Sequence, residues 1–175
     1  MTETRVLPAL AVRGVVPIPN NDFRIEVGRE MSIKALEEAE KNYGKFVVLM
    51  VQKNPLINEP TAEDIERYAV VARMTMKIKI PNDNYKVKFS IINRVEIVSF
   101  NEETNFFSVN YRDANVIYGE VDETLTLVKM VINEITKDPN VTNDGTHLLE
   151  KLETETPPEK LADIIAFNIK INEMD

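Results

Sequence analysis

Met74-Thr-Met-Lys-Ile-Lys-Ile80, Pro81-Asn-Asp-Asn84 and Tyr85-Lys-Val-Lys-Phe-Ser-Ile91 read as two strands joined by a turn. Met74, Met76, Ile78 and Ile80 alternate with Thr75, Lys77 and Lys79, and Tyr85, Val87, Phe89 and Ile91 alternate with Lys86, Lys88 and Ser90. That period of two is the pattern of half-buried strands, and the Pro-Asn-Asp-Asn cluster between them predicts a β-hairpin. A four-residue loop sets Ile80 opposite Tyr85, Ile78 opposite Val87 and Met76 opposite Phe89, which makes one continuous apolar face. The same register opposes Lys79 to Lys86 and Lys77 to Lys88. Like charges directly opposed are unfavourable, so these lysines need acidic neighbours, full solvation or a ligand. They either guard a sheet edge from aggregation or form a docking face for an acidic partner segment.

More strands lie on both sides of the hairpin. Val6 to Val16 is apolar and β-branched but carries Pro8, which predicts a strand at a sheet edge or one that bends. Pro17-Ile-Pro19-Asn-Asn21 breaks the chain. Phe23, Ile25 and Val27 then alternate with Arg24 and Glu26 up to Gly28. From Arg29 to Tyr43 the spacing of Ile33, Leu36 and Ala39 predicts an amphipathic helix that Gly44 caps. Lys45 to Gln52 reads as a strand buried on both faces, Asn54 to Pro60 as a loop, and Thr61-Ala-Glu-Asp64 as the start of a short helix. Val95, Ile97 and Ser99 begin another strand, Asn101 to Asn105 turns, and Phe106 to Arg112 returns. The expectation is about six strands, largely antiparallel and curled towards an open barrel, with one packed helix.

After Tyr118-Gly119 the period becomes helical. Val121, Leu125, Val128, Ile132 and Ile135 form a stripe that stops before Pro139. A loop over 140–145 and a short helix over 146–153 are expected next. Thr156-Pro-Pro-Glu159 is a helix-start signal, followed by Leu161, Ile164, Ile165, Asn168 and Ile171 on one face. No Gly or Asn is clearly placed to cap this last helix, so it is expected to be truncated and the natural polypeptide to continue. The fold class expected is α+β, with a β-rich lobe over residues 1–113 and an α-helical lobe over 114–175.

Charge divides at the same place. Of the 175 residues 29 are acidic and 21 basic, a formal charge of −8. Residues 1–113 carry 16 of each sign, and residues 114–175 carry 13 acidic and 5 basic side chains. A composition shift of this kind suggests two units in different surroundings. The acidic half disfavours nucleic acid, and for the balanced half the exclusion rests only on the absence of a recognition motif. The longest aliphatic run, Phe46 to Val51, is far short of the roughly 20 residues that span a bilayer, and no apolar signal-peptide core follows Met1. A cytosolic protein is expected.

Enzyme chemistry finds little to work with. The chain has no Cys and one His, which removes thiolate nucleophiles, disulfides and most zinc sites. Its five glycines are isolated, so no phosphate cradle is expected. The carboxylate groups at Glu37, Glu38 and Glu40, at Glu63, Asp64 and Glu66, and at Asp122 and Glu123 lie among charged neighbours on outer faces, where they are solvated. No catalytic residue, cofactor or metal is expected.

Three segments carry a specific resemblance. Leu7-Pro-Ala-Leu-Ala-Val-Arg13-Gly-Val-Val-Pro-Ile-Pro19, Val27-Gly-Arg29-Glu-Met-Ser32-Ile-Lys-Ala35-Leu, and Val51-Gln52-Lys53-Asn54 with Glu59-Pro60 and Asp64-Ile65 resemble the N-terminal domain of the Lon ATP-dependent protease family. Pro158-Glu-Lys-Leu161-Ala-Asp163-Ile-Ile-Ala166 is similar to that family's helical extension. The chain departs from the pattern at Tyr68-Ala69-Val70, where the family usually has a glycine, and at Ser90-Ile-Ile-Asn-Arg94, where only Arg94 matches a Glu-Gly-x-x-Arg run. The resemblance implies a non-catalytic module that recognises unfolded or degron-tagged polypeptides and supports assembly of a homohexamer, with the ATPase and Ser–Lys protease domains elsewhere in the whole protein. The alternatives are a self-association domain with little substrate contact and a stand-alone ligand-binding domain. An unfolded client offers apolar side chains and unpaired backbone together, so exposed apolar residues beside an open strand edge suit it. Candidate contacts are Ile18, Pro19 and Phe23 after the chain break, Met74, Met76, Ile80 and Tyr85 on the hairpin's apolar face, and Lys77, Lys79, Lys86 and Lys88. Burial in the core is the competing role for the apolar ones. Arg13 and Arg29 are expected to anchor loops by hydrogen bonding rather than to touch client.

Overall fold

A computed structural model describes residues 3–101, 105–137 and 157–168. The chain divides into two compact units, Met1–Ala114 and Asn115–Asp175. In the first, β1 (Arg5–Val12), β2 (Asp22–Val27), α1 (Glu30–Asn42), β3 (Phe46–Gln52), β4 (Ile65–Lys79), β5 (Tyr85–Asn101) and β6 (Phe107–Asp113) build one six-stranded sheet with a helix upon it. The strand order is β2-β5-β4-β3-β1-β6, and β6 also pairs with β5, so five of the strands form a closed circuit of pairings with β2 added outside it. Every pairing is antiparallel except β1 with β3.

The sheet is apolar on both faces, which is why β3 reads as a continuous apolar run rather than an alternation. Val47 and Leu49 face a core shared with Ala35, Leu36 and Ala39 of α1, and Val48 and Met50 face a second core with Leu7, Ala9, Val95 and Val109. All four β3 residues are completely buried, and burying each such side chain is worth about 1.5–3 kcal/mol. The helix α1 ends at Tyr43, after which Gly44 and Lys45 both adopt positive φ, 58° and 70°, and turn the chain into β3.

The hairpin differs from its expected register. Ile80 N–H donates to Asn84 O at 2.9 Å around a three-residue turn, Pro81–Asp83, in which Asn82 and Asp83 take positive φ. One residue fewer in the loop moves every pair by one and flips the faces. Lys79 stands opposite Tyr85, Ile78 opposite Lys86, Lys77 opposite Val87 and Met76 opposite Lys88. A bulge at Thr75 then restores the phase, and Met74 lies opposite Phe89 in the core. The expected continuous apolar face and the opposed lysines are therefore absent. The bulge lets Met74 and Lys77, an odd number of residues apart, share the face towards α1, and Met76 and Ile78 are left exposed on the other.

Three further readings are corrected by tertiary pairing. The strands expected at 85–91 and 95–99 are one strand, β5, and β4 begins at Ile65, well before Met74. The short helix expected after Thr61 is a single 3-10 turn, Ala62–Asp64, with a Thr61–Asp64 capping box. Pro8 is buried inside the sheet rather than at its edge: β1 pairs with β6 over Arg5–Ala9 and with β3 only from Ala9 onward, so Pro8 precedes the parallel ladder.

The second unit contains α2 (Val121–Lys137) and α3 (Pro158–Asn168). Tyr118 Oη donates to Glu159 Oε1 at 3.0 Å, and Ile135 and Leu161 are buried. The loop expected over 140–145, the short helix over 146–153, the Thr156 cap and the end of the last helix lie outside the described residues. No described helix is long and apolar enough to cross a membrane.

Candidate functional site

A concavity lies where two strands lose their neighbours. β2 is the first strand of the sheet order, paired with β5 alone. Beyond Ala9, β1 has β3 on one side and, among the described residues, no strand on the side that β6 occupies lower down. Between these two open edges lies a cleft of about 580 Å³, lined by Leu10, Val12 and Val15 from β1 and its following loop, and by Ile25 and Val27 from β2. Such edges present unpaired backbone N–H and C=O groups, a template for an added strand.

Two guanidinium groups line the same cleft. Arg29 Nη1 donates to Gln52 Oε1 at 2.8 Å and to Ala11 O at 3.5 Å, and Nη2 donates to Ile57 O at 3.4 Å. Gln52 is buried and its Nε2 donates to Ile57 O at 2.9 Å, so Arg29 and Gln52 together hold the 53–60 loop. Arg13 Nη1 donates to Asn58 Oδ1 of that loop at 3.1 Å. Both arginines thus anchor a loop, as expected, and both do so through neutral acceptors. Burial, and then the charge of Arg13, hold the Arg29 guanidinium below its ordinary range. The cleft's carboxylate, Glu26, accepts from Asn84 Nδ2 at 2.7 Å and stands across the ladder from Lys86. Gly28 permits that arrangement, since a Cβ there would stand 2.5 Å from Asn84 Oδ1.

Residues 6–175 match the family of ATP-dependent protease La (LON) substrate-binding domains. The chain belongs to this family. It is 38% identical over 171 residues to the Lon protease of Aster yellows witches'-broom phytoplasma (strain AYWB), covering 97% of this chain and 22% of that protein. It is 34% identical over 178 residues to the Lon protease of Finegoldia magna (strain ATCC 29328 / DSM 20472 / WAL 2508), with the same coverage of 97% and 22%. The chain therefore spans about a fifth of the length of these relatives. Among solved structures it is similar to the N terminal domain of Mycobacterium avium complex Lon protease, with TM-score 0.68 and 13% identity over 93% of this chain and 82% of that one, a likeness of fold.

In this LON domain the eleven candidate contact residues differ in how far they reach the surface. Met74 and Pro19 are buried and unavailable at the surface, Met74 because the Thr75 bulge turns it onto Phe89. Phe23 and Tyr85 are partly buried against the same core, and Ile18 and Ile80 are half-buried. Met76 is 42% exposed on the outer face, beside Ile78 at 50%. Acidic neighbours meet three of the lysines: Lys77 pairs with Glu40 of α1 at 2.5 Å, Lys79 with Asp83 at 2.8 Å and Lys88 with Asp22 at 2.8 Å. Lys86 is exposed opposite Glu26. The apolar cleft residues Leu10, Val12, Val15 and Val27 were not singled out from the sequence. Their strands looked ordinary, and only the sheet order shows which edges are open.

Proposed function

We propose that this LON domain captures unfolded or degron-tagged polypeptide for a Lon-type ATP-dependent protease, whose ATPase and peptidase activities belong to other parts of the whole protein. The observation that carries this reading is the cleft between the open edges of β1 and β2. Val15 is exposed and Ile25 half-exposed at its mouth, Leu10, Val12 and Val27 form its buried wall, and strand edges of this kind offer backbone groups to an added chain. Membership of a family described as substrate-binding supports it. Titration of an isotope-labelled domain with a reduced, unfolded protein should give saturable amide shifts at Val12, Val15, Ile25 and Val27. Shifts absent at every ratio would sink the reading.

A second reading, assembly into a homohexamer, is favoured by α2. Val121, Leu125, Leu127 and Met130 are each more than half exposed, an apolar load that an isolated surface helix has no reason to carry. Leu125→Glu with Met130→Glu should lower the sedimentation-derived mass of any oligomer formed by this chain. An unchanged mass distribution would exclude α2 as the contact.

A further inference from the structure

From the cleft between β1 and β2 we infer that the domain selects extended polypeptide segments in which an acidic side chain lies between aliphatic residues, the carboxylate meeting Arg13 and Arg29. This rests on the polypeptide-binding reading and adds a chemical preference to it. Charge complementarity favours such a segment. Two guanidiniums stand close enough to repel each other, and among the described residues their acceptors are an Asn side chain, a Gln side chain and main-chain carbonyls. Elsewhere in this sheet Arg5 pairs with Asp113, and Arg67 and Arg112 with Glu96. Arginine has five donors in a planar fork suited to bidentate carboxylate binding, and Arg13 spends one of them, on Asn58. Glu26 lines the same cleft, but its carboxylate accepts from Asn84 and stands opposite a third cation, Lys86, so the cleft's lining and that neighbour together carry more positive than negative charge. A peptide strand along β2 would alternate its side chains between the faces, so an acidic residue and its aliphatic neighbours reach different parts of the cleft.

The test uses three short fluorescent peptides of alternating Val and Ser around one central position. The first has Glu there and an amidated C-terminus, the second Gln with the same amide, and the third Gln with a free C-terminal carboxylate. On the 175-residue chain, anisotropy titration should show the Glu peptide binding about tenfold more tightly than its Gln twin, the size of one charge-assisted hydrogen bond. That ratio should collapse towards one in Arg13→Gln, persist in part in Arg13→Lys, and shrink as salt is raised. Arg13 is exposed and makes a single side-chain hydrogen bond, so a circular-dichroism melt close to that of the parent is expected for both variants. Equal binding of the Glu and Gln peptides, with amide shifts at Val12 and Val27, overturns the acidic preference and keeps the polypeptide reading. No binding or shift with any of the three overturns both. Tighter binding of the free-acid peptide alone assigns the arginines to a chain terminus and overturns the side-chain assignment.

Discussion

Replacing Arg29 with Met should loosen the wall of the cleft by a calculable amount. Arg29 supplies the donor for Gln52 Oε1 at 2.8 Å, and Gln52 is 4% exposed, so Met at position 29 leaves a buried acceptor without its donor. A buried acceptor left unsatisfied costs about 1–3 kcal/mol, and hydrogen bonds from a charged donor fall in the upper part of that range. The contacts to Ala11 O and Ile57 O are long, at 3.5 and 3.4 Å, and add little. The expected loss is about 2 kcal/mol, which lowers the melting temperature of a unit near 100 residues by roughly 8 °C or more. Urea unfolding followed by circular dichroism measures it, with Gln52→Leu and the double variant completing a cycle. Gln52→Leu removes the orphaned acceptor, so Arg29→Met should cost at least about 1 kcal/mol less in that background. Single-variant losses that add to within about 0.5 kcal/mol would show the two side chains to be independent and refute the reasoning.

Phe89 is completely buried opposite Met74, and Phe89→Ala should cost about 3–5 kcal/mol by urea denaturation. Asn82 has φ 77°, so Asn82→Val should destabilise the hairpin by about 1–2 kcal/mol, whereas Asn82→Gly should be close to neutral; equal losses would contradict the turn geometry. Hydrogen bonds from Arg112 and Arg67 hold the Glu96 carboxyl below its ordinary range. Because its folded pKa is depressed, Glu96 contributes stability that is fully present above the unfolded value near 4.5 and lost as pH falls through the folded one. Glu96→Gln should therefore flatten the stability profile below that pH, and a profile identical to the parent would dismiss the bridge.

Local pattern read α1, β3 and α2 closely because each is specified by neighbours a few residues away. The 3.6-residue stripe and Gly44 bound α1, and an uninterrupted Phe46–Val51 run announces a strand covered on both faces. The family segments around Arg13 and Arg29 also pointed to loop anchoring, which the bonds to Asn58, Gln52 and Ile57 display. The hairpin was legible as a hairpin and misread in register, since turns of three and four residues draw on the same Pro, Asn and Asp. One residue of difference decides the face of every side chain.

What the amino-acid sequence determined by itself is the set of elements, the even charge balance of residues 1–113 and the family, since periodicity, composition and short motifs are local properties of the chain. Tertiary structure alone decided the phase of β4 at Thr75, the burial of Met74 and the position of the cleft. The cleft lies where β6 leaves β1 at Ala9 and where, among the described residues, no strand pairs with the outer edge of β2. Whether a strand edge is paired depends on which distant strand stands beside it, and no residue of β1 or β2 encodes that alone.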